Sequence, residues 1–188
     1  MRLSSFIKAG GILFCGVVLG VISAQWSIEK TATAMTAGGG PWKSWFNGTA
    51  SIRDPYVNAH YLMFGRLPPA LGQELLFEAV NDDDGAALNA SCNYVVHGPR
   101  LSARWWQLAL TNEEKTELPA VSFTSPHFIG EADGTLRVAI SRSPKTGDWI
   151  NPGDLSHFAL VLKLRPGSGL NAGVSMVTLP RIRRETCS

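Results

Sequence analysis

The chain of 188 residues is long enough for one domain with a substantial core plus an accessory segment, and too short for two full domains. Its formal charge of +2 comes from the N-terminal segment: with Arg2, Lys8, Lys30 and Glu29 set aside, the 17 basic and 15 acidic residues fall to 14 of each. A neutral domain has no field to gather phosphates, which argues against a nucleic-acid partner, and 19 glycines with 11 prolines suit many short elements separated by turns.

No charge falls between Lys8 and Glu29. Twenty helical residues span about 30 Å, the thickness of a hydrocarbon core, so residues 1–28 read as a transmembrane signal anchor. The basic residues come first, which places the N-terminus in the cytoplasm and the rest of the chain in the periplasm, beyond a bacterial inner membrane crossed once. A long signal peptide cut after Ala24 is the competing reading; Ile22 is a poor residue at such a site and Trp26 suits an interfacial anchor. Gly16, Gly20 and Ala24 share one helix face, where a second copy could approach to form a homo-oligomer.

Residues 31–40 carry neither charge nor periodicity and read as a flexible tether. The tether and juxtamembrane region, 29–53, also holds Trp42, Trp45 and Phe46, which either pack on the domain or rest at headgroups, packing being the simpler expectation. The domain itself is expected over 54–188. Asp54-Pro55 starts a helix and Gly65 stops it. Val57, Tyr61, Leu62 and Phe64 make it apolar around most of its circumference, so it should pack on the open face of a sheet, with His60 a packing residue.

From Glu74 the period changes to two. Residues 74–80 and 92–97 read as strands joined by the Asn81–Gly85 turn, whose aspartates lack the spacing and distal glutamate of a calcium loop. Residues 101–111 read as a central strand with Trp106, Leu108 and Leu110 on the core face and Trp105, Gln107 and Ala109 on the other. Asp133-Gly134 is a tight hairpin signal before 136–140, and in 158–165 Phe158, Leu160, Leu162 and Leu164 point inward. Short strands without intervening helical patterns predict an antiparallel β-sandwich with minor α. Export would make Cys92 and Cys187 the only possible disulfide pair in the soluble domain; two free buried thiols or intermolecular pairing are the alternatives.

Several segments resemble one bacterial family. Arg104-Trp105-Trp106 with Leu108 and Leu110, Asp133-Gly134-Thr135-Leu136, Asp148-Trp149-Ile150-Asn151-Pro152, and Leu179-Pro180-Arg181-Ile182 with Glu185-Thr186-Cys187 are together similar to the domain of unknown function 1214 family, over residues 54–187. Asp148 and Ile150 depart from its pattern, which has asparagine before the tryptophan and leucine after it. The resemblance implies a jelly-roll-like sandwich and a natural companion protein carrying domain of unknown function 1254. It brings no reaction and no catalytic residues.

Catalytic signals are missing from the sequence. His60, His97, His127 and His157 sit in no nucleophile motif, and there is no His-Glu-x-x-His, phosphate loop or Cys-x-x-Cys. No metal or other cofactor is expected. Binding has better support. Arg104 and Trp105 on the less apolar strand face, with Asp148 and Trp149 in a loop and His127 in another, could stack on a sugar ring or clamp an anion. The opposing expectation is that both strand tryptophans are core and Arg104 is ion-paired. Arg181, Arg183 and Arg184 read as a solvated basic tail. The expected function is a non-enzymatic binding or assembly module for an envelope component or companion protein; the alternative is an envelope hydrolase or glycan-processing subunit using His97, Arg104, His127 and Asp148 at the sandwich end.

Overall fold

The computed structural model describes residues 2–34, 39–44, 62, 74–112, 121–165 and 177–187. The charge-free N-terminal run forms helix α1 (Arg2–Ala34), and its Gly10–Ser27 stretch, with a mean hydropathy of 1.6, is long and apolar enough to cross a membrane. Ile12, Leu13 and Phe14 stand exposed on it, as lipid-facing side chains would. The helix continues to Ala34, so the first four residues of the expected tether are helical instead. Of the helix expected over 54–65 only Leu62 is described; His60, Trp45 and Phe46 lie outside the described residues.

Eight strands follow among the described residues: β1 (Leu75–Ala79), β2 (Cys92–Gly98), β3 (Trp105–Asn112), β4 (Val121–Thr124), β5 (Leu136–Ile140), β6 (Trp149–Ile150), β7 (Phe158–Arg165) and β8 (Arg181–Cys187). They form two four-stranded sheets ordered β1-β7-β3-β4 and β6-β5-β2-β8. The period-two pattern explains the layering. Phe158, Leu160, Leu162 and Leu164 of β7 are buried at 2 % exposure or less, and Trp106, Leu108 and Leu110 of β3 face the same core. Tyr94 and Val96 of β2 with Val138 and Ile140 of β5 close it from the second sheet. The Tyr94 hydroxyl accepts the Asn89 N–H at 3.0 Å, so its one polar atom is satisfied inside.

Four details differ from the sequence reading. The sandwich is not antiparallel throughout: β6 pairs with β5 in parallel, Ala139↔Trp149 and Ile140↔Ile150. The central strand starts at Trp105 rather than Leu101, because Ala103 N–H turns back to Leu101 O at 2.9 Å. Asp133-Gly134 does make a turn, with Gly134 at φ +80°, but β5 pairs with β2 and β6, so the turn links no hairpin of named strands. The arginine-rich tail is strand β8, antiparallel to β2 with Val96↔Ile182 and Cys92↔Cys187 in register. Cys92 and Cys187 form a disulfide across that pair.

The 81–85 segment is a turn, as expected. One Asp82 oxygen accepts the N–H groups of Asp84 and Ala86 at 3.1 and 2.8 Å, and the other lies 3.5 Å from Arg184 Nε of β8. The Asp83 N–H donates to Ile182 O, so the turn also docks on the edge of β8.

Trp42 packs into the domain, with 1 % exposure, and its Nε1–H donates to Pro180 O. Beside it Lys43 exchanges two main-chain hydrogen bonds with Glu78 of β1, at 2.7 and 2.8 Å. Residues placed by sequence in the tether thus cover the edge of the first sheet and fill the seam toward β8.

Candidate functional site

Strand register defines two ends of the sandwich. Leu75↔Leu164 and Trp106↔Leu164 put the starts of β1 and β3 beside the end of β7, and Gly98↔Leu136 adds the end of β2 and the start of β5. The opposite end of the first sheet carries the 81–85 turn, beside which Gly40 lies: a side chain there would come 3.7 Å from Asp83.

At the first end the chain leaves β2, passes Pro99 and Arg100, buries Leu101 and enters β3 at Trp105. Burying Leu101 turns its polar neighbours outward, and Arg100 and Arg104 are both exposed. They flank a cleft of about 290 Å³ that also has Trp105, Trp106, Phe128 and Leu136 among its lining residues. Trp106 meets Phe128 edge-on at 5.3 Å and lies 6.2 Å from Phe123. Interlocked rings hold their geometry well, so the apolar floor is preformed.

Two features settle the electrostatics. Among the described residues no acidic side chain lines the cleft, and neither Arg100 nor Arg104 has an ion-pair partner. Trp105 is half-buried, with the Arg165 guanidinium 5.3 Å from its ring centroid. Arg165 is itself held by Glu74, through Nη2 at 2.6 Å and Nε at 2.8 Å, with Lys163 at 3.4 Å. Burial alone would raise the Glu74 pKa, but the hydrogen bond from Arg165 and the charge of Lys163 outweigh it and the net shift is downward. Glu74 is therefore a carboxylate at neutral pH. It pairs with both Arg165 and Lys163, and among the described residues no carboxylate pairs with the two cleft arginines.

The other sequence candidates do not converge here. Asp148 is buried, its carboxylate accepting the Ile129 and Gly130 N–H groups at 3.1 and 2.9 Å. It braces the loop that carries Phe128, so it shapes the cleft floor without being one of its lining residues. Gly130 in that loop has φ +72°, and a Cβ at this position would lie 2.8 Å from the Phe128 ring, so only glycine fits. Trp149 is on β6 rather than in a loop, and its Nε1–H donates to Ser141 O at 2.8 Å. His127 is exposed and shares a 2.9 Å hydrogen bond with Thr124 Oγ1. His97 lies on the outer face of the second sheet, in a concavity of about 800 Å³ with Arg137 and Arg183, its Nδ1 buried without a hydrogen-bond partner among the described residues. Arg100 is the residue that sequence reasoning missed. The available signal was its place between Pro99 and an inward Leu101.

The bracing role of Asp148 has a measurable size. Asp148→Ala leaves two backbone donors unpaired and should cost about 1–3 kcal/mol in a denaturant titration; a change below about 0.5 kcal/mol, the level of an ordinary surface substitution, would sink the assignment.

Fold and cleft define a class: a β-sandwich behind an apolar N-terminal helix, with an arginine-flanked aromatic cleft at one end. The family described as protein of unknown function (DUF1214) matches residues 73–166, half of the chain, and the chain belongs to that family. The match holds Arg100, Arg104 and Trp105; the 179–187 segment lies beyond it. Among solved structures the chain is similar to the VPA0106 protein from Vibrio parahaemolyticus, with 13% identity and a TM-score of 0.54, over 70% of this chain and 35% of that one. An uncharacterised protein from Burkholderia cenocepacia matches at 16% identity and a TM-score of 0.44, over 74% of this chain and 45% of that one. The chain thus spans between a third and a half of the length of these solved proteins. No curated protein matches the sequence.

Proposed function

We propose that this protein is a non-enzymatic binding module, anchored by α1 in a bacterial inner membrane with its sandwich in the periplasm, and that its contact surface is the Arg104–Trp105 cleft. The observation that carries the reading is an exposed Arg104, without an ion-pair partner among the described residues, beside a half-buried Trp105. A planar guanidinium and an indole face suit an anionic group attached to a ring or apolar body. Residues 1–28 act as the anchor, with the small-residue face of Gly16, Gly20 and Ala24 available for pairing with a second copy. A companion protein carrying domain of unknown function 1254 is the partner we propose, on the family resemblance of the sequence. The hydrolase reading gains no support, because among the described residues His97 and Asp148 line adjoining but different concavities, His127 lines neither, and no hydrogen bond joins any two of them.

The test is a titration of the full chain, in nanodiscs of zwitterionic lipid, with glucuronate as an anionic ring probe, followed by tryptophan fluorescence. Saturable binding weakened at least tenfold by Arg104→Gln, with Lys145→Gln unchanged, is the expected result. Binding that ignores Arg104, or glucuronide cleavage abolished by His127→Ala, would overturn the proposal.

A further inference from the structure

Resting on that reading, we infer that the cleft takes an amphiphilic monoanion, its carboxylate or monophosphate clamped between Arg100 and Arg104 and its alkyl or aryl body laid on the Trp106–Phe128 floor. Three observations combine. The first is the charge imbalance, two exposed arginines and no acid around one cleft among the described residues. An anion between them gains two charge-assisted contacts with no internal carboxylate to displace. The second is the lining, in which Leu101, Trp106, Phe128 and Leu136 offer apolar surface and Ser125 is the only uncharged polar side chain described. The Ser125 Oγ already accepts the Trp106 N–H at 3.3 Å. A sugar acid such as glucuronate would leave hydroxyls unpaired against such a floor, so it should bind more weakly than an alkyl or aryl anion. The third is size: about 290 Å³ accommodates on the order of ten heavy atoms at about 30 Å³ each, the volume of a liquid water.

The shared chemistry is an anion carried on an apolar body, from solution or from a lipid, and the vesicle arm of the test separates the two sources.

The experiment uses the full chain in zwitterionic nanodiscs and four probes: acetate, octanoate, octanol, and vesicles containing one third phosphatidylglycerol. Octanoate should bind at least tenfold more tightly than acetate and than octanol. Arg100→Gln and Arg104→Gln should each weaken octanoate at least tenfold, while Phe128→Ala should flatten the octanoate–acetate difference. Equal affinity for acetate and octanoate overturns the amphiphile inference even where glucuronate binds and the anion-binding reading stands. Arginine-dependent binding to the vesicles without octanoate binding overturns the inference of a compact amphiphile held in the cleft. Loss of all anion binding removes both.

Discussion

Replacing Cys92 and Cys187 by serine together should lower the folding free energy by about 4–5 kcal/mol, the figure the chain-entropy model gives for a loop of this size, since the bond closes a separation of 95 residues. A domain holds only about 5–15 kcal/mol in total, so the loss is a large share. The effect falls on the unfolded state. In the folded protein β8 keeps its ladder to β2 from Tyr94↔Arg184 to His97↔Arg181, and the Asp82–Arg184 pair still holds the 81–85 turn against it. The measurement is the denaturant midpoint of the full chain in detergent, with and without reductant. Coincident midpoints would show that the bridge contributes nothing. A drop accompanied by a larger denaturant slope is the expected signature, because the unfolded chain expands once the crosslink is gone.

Trp42→Ala should cost about 3–5 kcal/mol, the range for deleting a buried tryptophan side chain. Pro180 O also loses its donor, which adds about 1 kcal/mol. Trp26→Ala is the matched control, because that ring is 62% exposed on α1 and supports no part of the sandwich. The two variants should therefore separate widely on one unfolding curve. If Trp42→Ala unfolds together with Trp26→Ala, the seam is not part of the cooperative domain.

How much of this is legible in the sequence follows from which patterns carry physical meaning. The β7 alternation and the Trp106, Leu108, Leu110 face predict their burial, because a period of two leaves one register with a buried face. The disulfide is readable by elimination among three cysteines. β8 is not, since a strand whose outward positions are arginine, glutamate and threonine offers only Ile182 to the core and looks like a solvated tail. β6 is hidden for another reason: two residues show no period. At the site, the strand pattern points to Arg104 and Trp105. Asp148 stands out in the sequence but for the wrong role, because sequence cannot tell a carboxylate aimed at a ligand from one aimed at two backbone N–H groups. Arg100 escapes sequence reasoning because its importance comes from Leu101 being pulled inward, a tertiary effect.

The closure of the seam also fixes an order of events. Trp42 and its acceptor Pro180 are 138 residues apart, so one of the first segments of the domain waits for one of the last. Until β8 arrives, β2 is left with a free edge and the slot beside Trp42 stays open, and only then can Cys187 reach Cys92. A chain that emerges in sequence cannot finish its sandwich piecemeal; completion, edge protection and covalent locking coincide at the C-terminus.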